Sequence, residues 1–138
     1  METFDVIGDI RERFNLFDDP MDKYAYLIEL GKKSNGLNDS EKIDRNKIHG
    51  CASDSWLIIE QNTNQTYSIR TDSEAFIVRG LLNILEMVVD NKTSIELEGL
   101  LSESFLDSIG LAETISSQRT NGFMNAIKIV NSRIKDDR

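Results

Sequence analysis

Apolar residues recur at helical spacing through the first part of the chain. Phe4, Ile7, Ile10, Phe14 and Phe17 stand three or four residues apart, which predicts an opening helix with Thr3 as its cap. Asp18-Asp19-Pro20 ends that helix and begins another. Asp19 suits the cap, and Pro20 suits the first helical position, where no N–H is needed. The second helix is expected over about Pro20 to Lys33, with Tyr24, Leu27, Ile28 and Gly31 on one stripe. Lys32 and Lys33 complement the dipole at its end. Ser34 to Arg45 is polar and reads as a loop. The period then changes. Ser55 to Glu60 is β-rich and apolar on both faces, Thr66 to Arg70 alternates, and Gln61 to Gln65 forms the hairpin loop between them. A short strand at Asn46 to His49, with a turn over Gly50 to Asp54, completes three expected antiparallel strands.

Asp72 or Ser73 then caps the longest apolar element, Glu74 to Val89, whose Ile77, Leu81, Leu82, Ile84, Leu85, Val88 and Val89 cover most of its circumference. Such a helix is buried on several sides and belongs at the centre of a core. Thr93 with Glu96 forms a capping box for a short helix. Ser104 to Ile109 is a further helical piece, with Gly110 placed to stop it. A last helix, from about Gln118 to Lys135, carries Phe123, Ile127, Val130 and Ile134 on one face. Helices, then strands, then helices predict an α+β fold, a small three-stranded antiparallel sheet packed against helices. With no repeat or linker, residues 1–138 are expected to form a single domain.

Composition narrows the function classes. The 138 residues are 39% hydrophobic and 29% charged, with a net charge of −8. That balance opposes nucleic-acid binding, which needs clustered Lys and Arg, and opposes an anionic membrane surface. It is compatible with a basic protein partner. One cysteine allows no internal disulfide and fits a reducing compartment. The N-terminus lacks the basic start and apolar run of a secretory signal. No apolar run approaches the roughly 18–20 residues that span a bilayer, so a cytoplasmic location is expected.

The candidate chemistry lies in Lys47 to Gln61, KIHGCASDSWLIIEQ, which holds the only cysteine, Cys51, the only histidine, His49, and the only tryptophan, Trp56. A lone cysteine is often a small buried hydrophobe. Here Gly50 precedes Cys51 and Ala52 and Ser53 follow, so the sulfur has small neighbours on a turn, where function tends to sit. Loop N–H groups and the Ser53 hydroxyl are candidate donors to a thiolate. On spacing alone both readings of Cys51 stand. His49 raises a Cys–His pair, but Gly50 leaves its geometry undefined and no third group is fixed to orient the ring. A strand-end histidine is the simpler reading. One Cys and one His do not make a closed metal site, and the scattered glycines form no phosphate-binding loop. Arg79 is an unusual cation within an apolar helix: either it snorkels to water or it is aimed at the thiol or a partner. Arg119 opposes the dipole near the start of the last helix.

Four segments carry a resemblance: KYAYLIELGKK (Lys23 to Lys33), NKIHGCASDSWLI (Asn46 to Ile58), TDSEAFIVRGLL (Thr71 to Leu82) and SQRTNGF (Ser117 to Phe123). With Gly50, Cys51, Ser53 and Trp56 as a Gly-Cys-x-Ser-x-x-Trp core, and Arg119 and Gly122 near the last helix, the chain resembles the SufE family (SufE/CsdE-like) of sulfur-acceptor proteins. The family's fold is shared with the U-type (IscU-like) iron–sulfur scaffold proteins. Ser55 departs from the β-branched or apolar residue usual there, and His49 and Ala52 replace residues that are often larger and polar. The resemblance implies a sulfur shuttle without free-standing turnover, an activator of a cysteine desulfurase. Cys51 would take sulfur as a persulfide from a cysteine desulfurase (SufS/CsdA-like) and pass it to an Fe–S scaffold complex (SufBCD-like). Pyridoxal phosphate would reside on the desulfurase, and no cofactor or metal is expected on this chain. Arg119 would sit near the loop as an anion stabiliser. Gly50, Ser53, Trp56 and His49 would support the loop, and Asp72, Glu74 and Arg79 would form the docking surface. Two other classes compete. An iron–sulfur scaffold shares the fold but needs three cysteines where this chain has one. A stand-alone thiol enzyme would draw on His49.

Overall fold

Three strands and the helices around them place the Cys51 turn at one end of a small sheet. The computed structural model describes residues 6–51, 53–101, 104–111 and 117–136. Thr3, Phe4 and Ala52 lie outside the described residues, as does the side chain of Arg119.

The opening helices form as expected. Helix α1 spans Val6–Asn15 and buries Ile10 and Phe14; α2 spans Pro20–Lys33. Asp19 caps α2 by accepting from the Met21 N–H at 2.9 Å, and Pro20 opens it. The polar segment after α2 is more ordered than a plain loop, for it contains short 3-10 turns at Asp39–Glu41 and Asp44–Asn46.

Strand β1 spans Ser55–Gln61 and pairs antiparallel with β2, Thr66–Ser73, in a register that sets Ser55 opposite Ser73 and Trp56 opposite Asp72. The sheet has three strands in the order β1-β2-β3. Its third strand is not the one expected at Asn46 to His49. That segment follows a 3-10 turn, runs into Gly50 at φ +88°, and makes only an isolated bridge from Lys47 to Trp56. A helical turn and a left-handed glycine leave too little extended backbone for a ladder. The third place is taken by β3, Lys92–Thr93, which pairs with Tyr67 and Thr66 on the other edge of β2.

Helix α3, Phe76–Val89, is the centre of the core, with Leu81, Leu82, Ile84, Leu85, Val88 and Val89 all at most 1% exposed. It begins two residues later than expected and has no side-chain cap. Ser73 instead accepts from the Ala75 N–H at 3.2 Å, just ahead of the helix, and Asp72 is committed elsewhere. Helices α2 and α3 cross at Gly31 and Gly80: a Cβ on Gly31 would overlap the Phe76 carbonyl, and one on Gly80 the Leu27 carbonyl. Two glycines therefore bring the backbones close enough for Leu27, fully buried, to join the core. Thr93 and Glu96 form the expected capping box for α4, Ser94–Leu100, and α5, Phe105–Ser108, is followed by Gly110. Helix α6, Ser117–Asp136, buries Phe123, Ile127, Val130 and Ile134 and covers the end of the sheet. Arg133 of α6 donates to the Ile59 carbonyl of β1 at 3.2 Å.

Candidate functional site

The Cys51 turn is pinned at its base and held from the side. At its base the Ile48 N–H donates to the Ser55 carbonyl at 2.8 Å, and Lys47 Nζ lies 3.2 Å from Asp54 Oδ1. That lysine, with a hydrogen bond to Glu74, holds the Asp54 carboxyl below its ordinary pKa. The Asp54 carbonyl accepts from the Glu74 N–H at 3.0 Å, which ties the turn to the end of β2.

Helix α6 supplies the side wall. Asn125 Nδ2 donates to the His49 carbonyl at 2.6 Å. Gly50 turns beneath that amide, and a Cβ on it would overlap Asn125 Nδ2. Gly122 is one turn earlier on the same helix face as Asn125. A Cβ on Gly122 would overlap the Cys51 sulfur and stand 3.1 Å from its Cα. The absent side chain is the space the cysteine occupies. Arg119 lies one further turn towards the start of α6, so the backbone brings the Arg-x-x-Gly segment to the cysteine. Gly122 and Asn125 form a Gly-x-x-Asn spacing that marks one helix face, though only tertiary packing shows what that face meets.

Cys51 is half-buried against the core. Burial pushes its thiol pKa up, opposed by a hydrogen bond with the Ser55 hydroxyl. Ser55 is fully buried, and its Oγ lies 3.1 Å from the Ser53 carbonyl and 2.9 Å from Ser73 Oγ. The Ser53 carbonyl faces the Ser55 hydroxyl. His49 has an exposed side chain and joins the site through its carbonyl. Trp56 is 9% exposed and lies under Lys42, whose Nζ is 5.6 Å from the ring centroid.

Asp72, Glu74 and Arg79 are not equivalent. Asp72 is 6% exposed and turned inward. It accepts from the Leu37 N–H at 2.9 Å and the Ser73 N–H at 2.8 Å, and pairs with Lys42 at 3.3 Å. Arg79 Nε stands 3.2 Å from Asp72 Oδ1, an ion pair without hydrogen-bond alignment. Arg79 Nη2 donates to the Ser34 carbonyl at 3.0 Å, and its guanidinium covers the Phe76 ring at 5.5 Å. Asp72 and Arg79 thus clamp the 34–42 segment onto the sheet, while the Glu74 side chain is exposed beside Asp54. Among the described residues no cluster of three or more His, Cys, Asp or Glu side chains could hold a metal ion, and no helix is long and apolar enough to cross a membrane.

The profile of the SufE family, described as an Fe-S metabolism associated domain, matches residues 8–134. The chain belongs to the SufE family. Membership associates it with iron–sulfur metabolism. An uncharacterised SufE-like protein of Rhizobium etli is 36% identical over 132 residues, covering 94% of this chain and 89% of that protein. Another, from Rhizobium meliloti, is 33% identical over 129 residues, covering 91% and 92%. A solution structure of a hypothetical protein from Thermus thermophilus shares the fold, with a TM-score of 0.76 at 13% identity, over 95% of this chain and 94% of that one. Within that matched span, Gly122 of α6 packs on Cys51 of the turn.

Proposed function

We propose that this SufE-family protein is a sulfur acceptor that carries sulfane sulfur as a persulfide on Cys51. The observation that supports it is a single cysteine on a small-residue turn, set against a glycine of α6, in a chain of an iron–sulfur metabolism family. The donor is a cysteine desulfurase whose own pyridoxal phosphate generates a persulfide on its active-site cysteine. Cys51 thiolate attacks the outer sulfur of that persulfide. One S–S bond breaks and one forms, the outer sulfur keeps its proton, and the desulfurase cysteine leaves as thiolate, so no external oxidant or reductant is needed. This is the persulfide counterpart of thiol–disulfide exchange, governed by thiolate fraction, nucleophilicity and access. Discharge of the desulfurase stimulates its turnover, and the sulfur passes on to the iron–sulfur assembly scaffold.

A carrier benefits from having no resolving cysteine, because a second thiol would release the sulfur and close a disulfide. Partial burial keeps the resting thiol neutral and shielded, so docking must draw the turn outward. Glu74 and Asp54, exposed beside the turn, suit a basic docking face, and Asp72 with Arg79 hold the platform behind them. Arg119, one turn before Gly122, is assigned to the anionic sulfur. The test combines the protein with a cysteine desulfurase and cysteine, and follows intact mass and sulfide production. A one-sulfur adduct at Cys51 and faster turnover, both lost in Cys51→Ser, are expected. Stimulation that survives Cys51→Ser, with no adduct on the wild type, rules the carrier role out. Arg119→Ala is expected to slow sulfur acceptance while preserving the circular dichroism spectrum; unchanged transfer kinetics remove Arg119 from the site.

A further inference from the structure

Helix α1 carries a second pattern beside its core face. Ile10 and Phe14 are buried beneath the helix. Val6, Asp9, Arg13 and Leu16 stand three, four and three residues apart and so form a stripe along one flank. Asp9, Arg13 and Leu16 are exposed, Leu16 to 81%, and Val6 is half-buried. Among the described residues neither Asp9 nor Arg13 has an ion-pair partner, although they are four apart on one helix. Two crevices open along the stripe. One, of about 260 Å3, runs beneath α1, with Val6, Tyr26, Leu30, Ile84 and Met87 in its walls and the exposed Asp9 and Arg13 at its rim. The other is shallower and is bounded by Asp9, Glu12, Arg13 and Leu16.

From one end the stripe reads apolar, acidic, basic, apolar; from the other it reads apolar, basic, acidic, apolar. It is therefore complementary to its own reverse. An antiparallel register that sets Arg13 opposite Asp9 also sets Leu16 opposite Val6, because the step from Arg13 to Leu16 equals that from Val6 to Asp9. A twofold axis makes each contact twice. Arg11 lies on the opposite side of the helix and donates to the Ser108 carbonyl at 3.3 Å, so it does not meet its own copy. The helix holds two acids and two bases, Asp9, Glu12, Arg11 and Arg13, and is neutral within a chain of net charge −8. Two acidic copies can approach there without local repulsion.

We propose that α1 is a self-association surface for a second copy of this chain. The two helices dock antiparallel across a twofold axis, Arg13 pairs with Asp9 of the other copy, and Leu16 enters the crevice beside the other copy's Val6. Ten helical residues extend only about 15 Å, which places the contact among the smaller interfaces, so the dimer is weak and reversible. The Cys51 turn is held by β1, β2 and α6 rather than by α1, and both thiols stay available in the dimer. The inference does not depend on the carrier reading of Cys51.

The test is sedimentation velocity under reducing conditions, which prevent a Cys51 disulfide. For the wild type the dimer fraction is expected to rise between about 10 μM and about 1 mM. Leu16→Ala is expected to weaken dimerisation about tenfold. Arg13→Glu and Asp9→Lys each set like charges opposite one another twice, and each is expected to weaken it about tenfold or more. The double variant Asp9→Lys/Arg13→Glu restores opposite charges and is expected to return to within about threefold of the wild type. A merely structural effect is not repaired in this way, because both reversals oppose the helix dipole. A wild type that stays monomeric to about 1 mM overturns the proposal. So does a dimer left unchanged by Leu16→Ala and Arg13→Glu, which must use another face. Single reversals that weaken association without rescue in the double variant overturn the antiparallel register. If a charge variant loses its circular dichroism spectrum, Leu16→Ala, at an exposed side chain, decides.

Discussion

Replacing Gly122 with alanine asks whether the wall that α6 presents to Cys51 sets the exposure of the thiol. The added Cβ would overlap the sulfur and stand 3.1 Å from the Cys51 Cα and 3.2 Å from its Cβ. A new sulfur rotamer relieves the first clash but not the other two, so the turn must move by some tenths of an ångström. Two terms compete in stability. Alanine gains about 1 kcal/mol over glycine within a helix, and overpacking costs about 1–3 kcal/mol. The net expectation is a loss of about 0–2 kcal/mol, read from urea denaturation, with a fall in Tm of about 0–7 °C at this chain length. The chemical effect is sharper. Burial is what raises the Cys51 pKa, so a turn pushed off α6 exposes the sulfur, lowers its pKa and speeds iodoacetamide alkylation about threefold or more at neutral pH. A variant stabilised by about 1 kcal/mol, as helix propensity alone dictates, with an unchanged alkylation profile, would refute the close packing of Gly122 on Cys51.

Asn125→Ala removes the donor to the His49 carbonyl and is expected to cost about 1 kcal/mol, with faster hydrogen exchange confined to the turn; a purely global loss of protection contradicts the assignment. Asp72 is raised by its burial, but hydrogen bonds from the Leu37 and Ser73 N–H groups, with Lys42 and Arg79, bring its pKa below the ordinary value. A carboxyl so lowered contributes stability above its unfolded pKa and loses it as pH falls through the folded pKa. Asp72→Asn is therefore expected to destabilise by about 1–3 kcal/mol at pH 7, with the difference shrinking in acid; a pH-independent difference in urea denaturation points to packing instead. Glu86 has the opposite sign: burial raises its pKa, partly opposed by the Thr71 hydroxyl and N–H, the latter at 3.1 Å. Its penalty develops as pH rises from the unfolded to the folded pKa, so Glu86→Gln, which keeps an acceptor for Thr71, is expected to be more stable than the wild type at about pH 7 and no more stable at about pH 4. Equal effects at both pH values contradict this.

Local signals carried most of the element list. Asp19-Pro20 suits a helix start, Thr93 with Glu96 fits a capping box, and the apolar surface of Glu74 to Val89 calls for burial on several sides. Those readings depend on neighbours within a turn or on the width of an apolar stripe, both of which the linear chain displays. The third strand was misread because β-propensity at Asn46 to His49 says nothing about a left-handed Gly50 or about which edge of β2 is free, and two residues, Lys92 and Thr93, are too few to announce a strand.

The cysteine, its small neighbours and the absence of a second thiol were legible in the residues, and so was the family. The surroundings of the sulfur were not. Ser55 stood out only as a departure from the family pattern, yet antiparallel register sets it against Ser73, eighteen residues away, in a pair of hydroxyls that no local spacing connects. Gly122 and Asn125 reach the turn from far along the chain, Asn125 standing 76 residues beyond His49, and Asp72 with Arg79 proved to hold the 34–42 segment rather than lie open. The linear order of residues shows which side chain carries the thiol, because that depends on chemistry each residue carries alone. What the sulfur touches and how deeply it lies are consequences of register and helix packing, which exist only once distant segments have closed on one another.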